Sequence, residues 1–324
     1  MPGVAEPDAP YLSYSRYLRE RHGCRVFRVA VDAGFSCPHG RCTYCTPGGA
    51  RAPYLGDHAC APDLEAQVRK GIDFLRKRYG AEAFILFFQA RSNTNAPVEA
   101  LRRVYDAGLS LASFRGLSVA TRPDCVDQAR ADLLASYAGR GLEVWCELGL
   151  QSAHASTLQR IHRGHTMEDF RRAFALLRER SVKVAVHLIF GLPGEGQAEI
   201  RETVEAVAAL APDGVKIHNL HVPRGTSVAR ELEAGELIVP SPETHLQWVM
   251  DAIERLPPST VIMRVVCDTP KESLAAPRRF WEKQAFVAAL EAAMRAGGRR
   301  QGRLAGQATQ QRAGATQQRA EATR

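Results

Sequence analysis

Apolar positions along the chain fall into two kinds of run that take turns. Short strand-like runs occur at Cys24–Ala30 (CRVFRVA), Ala83–Gln89, Gly116–Thr121, Glu143–Leu150, Val182–Phe190 and Gly214–Val222. A seventh, Val261–Cys267, follows a longer gap. Between them, Pro62–Tyr79, Ala96–Ala107, Val126–Gly139, Thr166–Arg180 and Gly196–Leu210 carry apolar residues at i, i+3, i+4 spacing, which predicts helices. Strands alternating with helices of this length imply βαβ units and a parallel sheet. Six or seven such units predict an α/β barrel or incomplete barrel, with functional groups at the C-terminal ends of its strands.

The two ends read differently. Residues 1–22 form a leader with an amphipathic, aromatic-rich segment, and 23–267 hold the barrel. A C-terminal extension, 268–296, carries a last helix near Arg279–Arg295. Residues 297–324 lack large apolar side chains almost entirely and repeat ATQQRAG as ATQQRAE. Alanine at the apolar positions of that seven-residue period buries too little to hold a coiled-coil partner, so a disordered tail is expected.

Composition narrows the function classes. No apolar run is long enough to span a bilayer, and the N-terminus lacks a basic start before an apolar stretch, so a cytoplasmic protein is expected. The net charge of +8 invites a nucleic-acid reading. However, residues 295–324 hold seven Arg against one Glu, which leaves the remainder close to neutral. The basicity belongs to the tail, where it could add non-specific phosphate contacts.

Of eight cysteines, Cys24, Cys60, Cys125, Cys146 and Cys267 are scattered and three cluster, in GFSCPHGRCTYC. Cys37, Cys42 and Cys45 follow the first predicted strand on a loop rich in Gly and Pro. Three thiolates on one loop can hold a [4Fe–4S] cluster with one iron left open. An open iron can chelate the amine and carboxylate of S-adenosylmethionine, whose sulfonium then accepts an electron and yields a 5′-deoxyadenosyl radical. Structural zinc, with His39 as fourth ligand, is the alternative. The position after strand one weighs against zinc, as does Tyr44 beside the last thiol, where an aromatic can pack against adenine.

Weaker signals lie further along. Gly191-Leu-Pro-Gly-Glu195 ends the fifth strand, and its glycines permit close approach of backbone to a flat ligand, or simply a tight turn. Glu147 and Gln151 at the end of the fourth strand can take ribose hydroxyls, although a strand-end salt bridge fits Glu147 equally well. Arg163 can clamp a carboxylate or be a solvated helix residue. Lys216 and His218 share one face of the sixth strand, as proton donors or substrate anchors, with a snorkelling lysine as the alternative. His187 on strand five is a third cavity candidate, whereas His221 lies on the face opposite His218.

GFSCPHGRCTYC, FFQARSNT, ATRPDCV, EVWCELGLQSAHASTLQRIHRGH, HLIFGLPGE and GVKIHNLHVPRGTSVA, in that order, resemble the radical SAM superfamily. More narrowly they resemble the YhcC-like proteins, relatives of the radical SAM domain of the Elongator catalytic subunit. The resemblance runs from about residue 13 to 285. It implies a partial (β/α)6 TIM-type barrel with a short C-terminal extension, and an enzyme that uses a [4Fe–4S] cluster on Cys37, Cys42 and Cys45 with S-adenosyl-L-methionine. It further implies cofactor contacts from Tyr44, from Gln89, Ser92 and Asn93 near the methionine amine, from Glu147 and Gln151 near ribose, from Arg163 near the carboxylate, and from Ile189 and Gly191 at adenine. An electron donor such as flavodoxin or ferredoxin follows as a partner.

The chain departs from the family pattern in two places. Four residues separate Cys37 from Cys42 where the superfamily has three, and FFQARSNT stands where a Gly-Gly-Glu triplet is usual. By analogy the expected substrate is the side chain of a wobble uridine in tRNA, with a protein or small metabolite as the alternative. A zinc-stabilised binding module without catalysis is the reading from a different class.

Overall fold

The computed structural model describes residues 9–46, 63–267 and 269–306. Seven parallel strands form one curled sheet: β1 (Val26–Val31), β2 (Ala83–Phe88), β3 (Phe114–Thr121), β4 (Glu143–Gln151), β5 (Lys183–Phe190), β6 (Gly214–Asn219) and β8 (Val261–Arg264). They pair in that order, and the expected incomplete barrel is what forms. Helices α2 (Leu64–Tyr79), α3 (Val98–Ser110), α4 (Gln128–Ala138), α6 (Met167–Glu179) and α7 (Gln197–Ala208) return the chain between strands, with a short α5 (Ala155–Arg160) before α6. The strand and helix ends move by a few residues from expectation. For example, Asp127 caps α4 by accepting from Arg130 N, so that helix starts after Val126.

Alternation along each strand divides its residues between two interiors. Val29, Leu86, Leu117, Val144, Val184, Val186 and Ile217 face the helices in the large outer core. Val26, Ile85, Trp145, Ala185, Val261 and Met263 point the other way, into the lumen. There they meet Tyr14 and Leu18 of α1 (Tyr14–His22), so the leader's amphipathic segment packs into the N-terminal mouth of the half-barrel. Tyr14 and Tyr17 both pack edge-on against Trp145, at 5.9 and 5.7 Å.

The region 223–260, unassigned from sequence, contains α8 (Ser227–Glu233) and α9 (Pro242–Arg255). The start signal of α9 was present as Ser241-Pro242, a capping serine before a proline in the first turn. Strand β6 ends at Asn219, and Val222–Pro223 (β7) leaves to pair antiparallel with Leu274–Ala276 (β9). The last helix, α10, spans Lys283–Ala296 and so starts later than expected.

The expectation of a disordered tail from residue 297 does not hold for 297–306. Arg299 and Arg303 both bond the carboxylate of Glu254 on α9. Gln301 accepts from Leu12 N (2.8 Å) and donates to the carbonyls of Pro257 and Thr260 (both 2.7 Å), which ties both chain ends together. A few well-satisfied polar contacts replace the missing apolar side chains. The repeat at 308–321 and Cys60 lie outside the described residues.

Candidate functional site

The C-terminal ends of the strands surround a cavity of about 450 Å³. The loop after β1 opens it. Gln67 of α2 accepts from Asp32 N (2.8 Å) and donates to Asp32 O (2.9 Å), which fixes where the loop leaves the strand. Gly40, at φ +72° between Cys37 and Cys42, takes up the longer cysteine spacing in a left-handed turn. Thr43 N then bonds Ile161 O (3.1 Å), and Val228 N bonds Thr43 O (3.3 Å).

Cys37, Cys42 and Cys45 all line the cavity. Ser92 Oγ lies 3.3 Å from Cys37 Sγ, and Arg163 Nη1 lies 3.5 Å from Cys42 Sγ. Burial, with Cys42 and Cys37 close by, pushes the Cys45 thiol up to about 11. Three converging thiols beside a buried guanidinium suit a thiolate-bound anionic cluster. His39, the fourth ligand of the zinc alternative, has its Nε2 3.1 Å from Asp124 Oδ2. Among the described residues no three His, Cys, Asp or Glu side chains gather around a single metal-ion position. Tyr44 packs with Leu158, Ile161, Ile189 and Leu192 on the cavity wall.

Arg163 reaches the cavity through an arrangement that requires a glycine. Its Nη2 and Nε donate to Gly149 O at 2.6 and 3.2 Å. A Cβ at Gly149 would stand 2.4 Å from Nη2. His165 completes the clamp. Burial and the adjacent Arg163 push it down to about 4, so the ring is neutral. Its Nδ1 lies 3.2 Å from Thr166 O, and its Nε2 lies 3.0 Å from both Arg163 Nε and Gly149 O. Gln151, at φ +78° just past a register shift in β4, also lines the cavity.

Some expected ligands are structural here. Gln89 lines the cavity, but Ser92 and Asn93 are fully buried beneath it. Asn93 Nδ2 donates to the carbonyls of Ala90 and Ala120 (both 3.0 Å), and Tyr105 OH bonds its carbonyl. This holds Ala90 and Arg91 at φ +67° and +61°, a conformation costly for residues with a Cβ. Gly191 is absent from the cavity lining; at φ +85° its missing Cβ makes room for Pro240, while Ile189 does line the cavity.

Glu147 was expected near ribose, yet its carboxylate is fully buried and already partnered. Arg28 Nη1 (2.6 Å) and Ser118 Oγ (3.3 Å) donate to Oε1, and Lys216 Nζ (2.5 Å) and His187 Nε2 (2.8 Å) to Oε2. Burial alone would raise the Glu147 carboxyl, but Lys216 and Arg28 outweigh it and hold it well below the usual range. Burial pushes Lys216 down to about 7 against the pull of Glu147, and pushes His187 down to about 3, so His187 is a neutral donor. Arg28 and Lys216 lie 4.7 and 4.9 Å from the centre of the Phe87 ring. His218 lines the cavity 5.6 Å from His187, ring to ring. Lys216 is therefore no snorkelling lysine: it is sequestered at the cavity floor.

Sequence reasoning passed over Arg28, Arg122 and His165. Arg122 bonds Asp124 (2.9 Å) and the carbonyl of Arg163, and it also lines the cavity. Its signal was a charged residue directly after a buried strand and before a proline.

Residues 34–207 match the radical SAM superfamily, and 212–296 match the Radical_SAM C-terminal domain. Protein YhcC of Escherichia coli (strain K12) is 39% identical over 267 residues, covering 80% of this chain and 84% of that protein. Elongator complex protein 3 of Homo sapiens is 30% identical over 165 residues, which is 50% of this chain and only 29% of that protein. The solved archaeal Methanocaldococcus infernus Elp3 superposes with a TM-score of 0.68 at 22% identity, over 85% of this chain and 64% of that one, and so shares the fold. No helix among the described residues is long and apolar enough to cross a membrane.

Proposed function

The chain belongs to the radical SAM superfamily, and from that premise we propose that Cys37, Cys42 and Cys45 hold its [4Fe–4S] cluster and that the radical acts on the side chain of a wobble uridine in tRNA. The observation that carries this reading is the convergence of three thiols, Arg163 and Lys216 on one cavity. When bound, the cluster and S-adenosylmethionine supply a 5′-deoxyadenosyl radical.

The chain's own residues orient and enclose. Arg163, held rigid by Gly149 and His165, receives the methionine carboxylate. Gln89 lies on the side of the methionine amine. Gln151 takes the ribose alone, since Glu147 has no lone pair to spare. Tyr44 and Ile189 give adenine an apolar wall. Glu147 positions Lys216, which holds a proton at Nζ toward the substrate, with His218 beside it. An electron must come from a reductant such as flavodoxin or ferredoxin, in the cytoplasm.

The tRNA assignment is supported by the likeness to Elongator complex protein 3 and stands apart from the radical chemistry. Nucleosides of tRNA from cells with and without the gene test it. One wobble-uridine derivative should shift to its precursor. An unchanged profile would remove tRNA as substrate and leave the cofactor reading intact.

A further inference from the structure

Ser92 stands in FFQARSNT, the stretch where the chain departs from the family pattern. It is 0% exposed and lies outside the cavity lining, so its hydroxyl does not face the cofactor space. A fully buried hydroxyl needs partners within the protein. Those partners are sulfurs. Ser92 Oγ donates to Cys37 Sγ at 3.3 Å, and the buried Cys125 thiol is within hydrogen-bonding reach of the same oxygen.

Neighbouring bonds hold this contact in place. Asn95 Nδ2 donates to Ser36 O at 2.9 Å, so one short turn grips the cysteine loop at consecutive positions, 36 and 37. Asn95 N bonds Ser92 O and Asn93 N bonds Ala120 O, both at 3.1 Å, which closes the turn around Ser92. Thr94 Oγ1 donates to Cys125 O at 2.6 Å, so the same turn also fixes where the Cys125 side chain starts.

A hydroxyl has one proton to give and two lone pairs to accept with. An ordinary thiol is protonated at neutral pH, so Cys125 meets Ser92 as a donor. A thiolate that ligates iron has no proton and can only accept. The single Ser92 proton is therefore left for Cys37, in the order Cys125 S–H, Ser92 O–H, Cys37 S⁻. Burial removes solvent as a competitor and strengthens the bond.

We propose that Ser92 is a positioning residue for electron uptake: its hydroxyl, donated to the Cys37 thiolate, raises the reduction potential of the [4Fe–4S] cluster bound there. The inference rests on Cys37 being a cluster ligand, as read above, and is independent of the substrate. A reduced cluster carries one more electron, and part of that charge falls on its thiolate sulfurs. A donor beside one of those sulfurs stabilises the reduced form more than the oxidised one. Ser92 thus eases uptake of the electron from a flavodoxin- or ferredoxin-type donor. The role also fits its place behind the cavity wall, where it touches a ligand sulfur and not the cofactor space.

The test is a redox titration of the reconstituted full chain, followed by electron paramagnetic resonance without S-adenosylmethionine. Ser92→Ala should load about four irons per chain, as the wild type does, and have a more negative midpoint. At a fixed potential its ratio of reduced to oxidised cluster should fall about threefold to tenfold, roughly 30 to 60 mV for a one-electron couple. Ser92→Thr keeps a hydroxyl and should stay near the wild type. Ser92→Val, with the shape of threonine, should shift as Ser92→Ala does. Cys125→Ala should leave the midpoint near the wild type, because the Ser92 proton already points to Cys37.

A wild-type midpoint in Ser92→Ala overturns the proposal; weakened S-adenosylmethionine binding in the same variant would make Ser92 an amine ligand instead. Equal midpoints in Ser92→Thr and Ser92→Val also overturn it, because packing and not the hydroxyl then sets the potential. That pair decides the matter if Ser92→Ala loads no cluster. A positive shift in Cys125→Ala would mean that Ser92 donates to Cys125 in the wild type, which reverses the order above and overturns it. A wild-type chain that loads no cluster removes the cysteine reading itself, and the proposal with it.

Discussion

The two mouths of the half-barrel are built from the same inward-facing positions and serve opposite ends. At the N-terminal mouth those positions are Val26, Ala83, Ile85, Trp145 and Ala185, and α1 seals them with Tyr14 and Leu18. Toward the C-terminal mouth β1, β3, β4, β5 and β6 turn Arg28, Ser118, Glu147, His187 and Lys216 inward. One mouth buries apolar surface and fixes the curvature of the sheet. The other concentrates charge on buried side chains such as Glu147 and Lys216, where each ion pair is stronger and each unpaired charge more costly. Chemistry therefore sits on a charged layer supported from below by an aromatic plug.

That contrast can be broken from either side, and the largest effect is at the top. Cys42→Ala should abolish cluster absorbance and 5′-deoxyadenosine formation. The fold should survive, with far-ultraviolet circular dichroism unchanged, because Cys42 sits on a loop at the cavity wall, outside the strands and helices. A collapse of the fold would mean that the loop is structural.

Next in size is the charged layer. Lys216→Met removes one of the two cationic partners of a fully buried carboxylate, which costs up to about 3 to 5 kcal/mol and is read as a lowered thermal midpoint. Lys216→Met/Glu147→Gln should recover part of that loss. Turnover of substrate should fall at least ~100-fold in either variant if Lys216 supplies the proton. The pH profile fixes the sign. Burial brings Lys216 down to about 7, so its cationic form is present below that pH and lost above it. Substrate turnover should decline as pH rises through about 7, while S-adenosylmethionine cleavage without substrate should lack that limb.

Effects at the bottom should spare chemistry. Truncation after Gly306 should be silent, whereas truncation after Ala296 also removes Arg299, Gln301 and Arg303. That leaves Glu254 without its two arginines and lowers the thermal midpoint by roughly 5 to 10 °C, with activity per folded molecule unchanged. Smallest of all, Tyr14→Phe removes a buried hydroxyl that lacks a hydrogen-bond partner, so its stability should change by less than about 1 kcal/mol in either direction.

Much of this was legible in the sequence because periodicity survives translation into structure. The short apolar runs became the seven strands, and the three clustered cysteines reached one cavity. Pairings across distant strands were not legible. Nothing near Glu147 in sequence names Arg28 or Lys216 as its partners, since only the closing of the sheet brings β1 and β6 to β4. Ser92 and Asn93 were expected as ligands from the family resemblance alone; here Asn93 ties a strained turn to the carbonyl of Ala90, and Ser92 reaches Cys37 Sγ. The first ten residues of the tail looked disordered because polar clamps leave no apolar signature.

The central claim is that Cys37, Cys42 and Cys45 carry a cluster that cleaves S-adenosylmethionine. Anaerobic reconstitution with iron and sulfide, followed by dithionite and S-adenosylmethionine, measures it in one tube. The account predicts a brown protein with about four irons per chain and steady release of 5′-deoxyadenosine. A colourless protein that takes up a single zinc and releases none would contradict it.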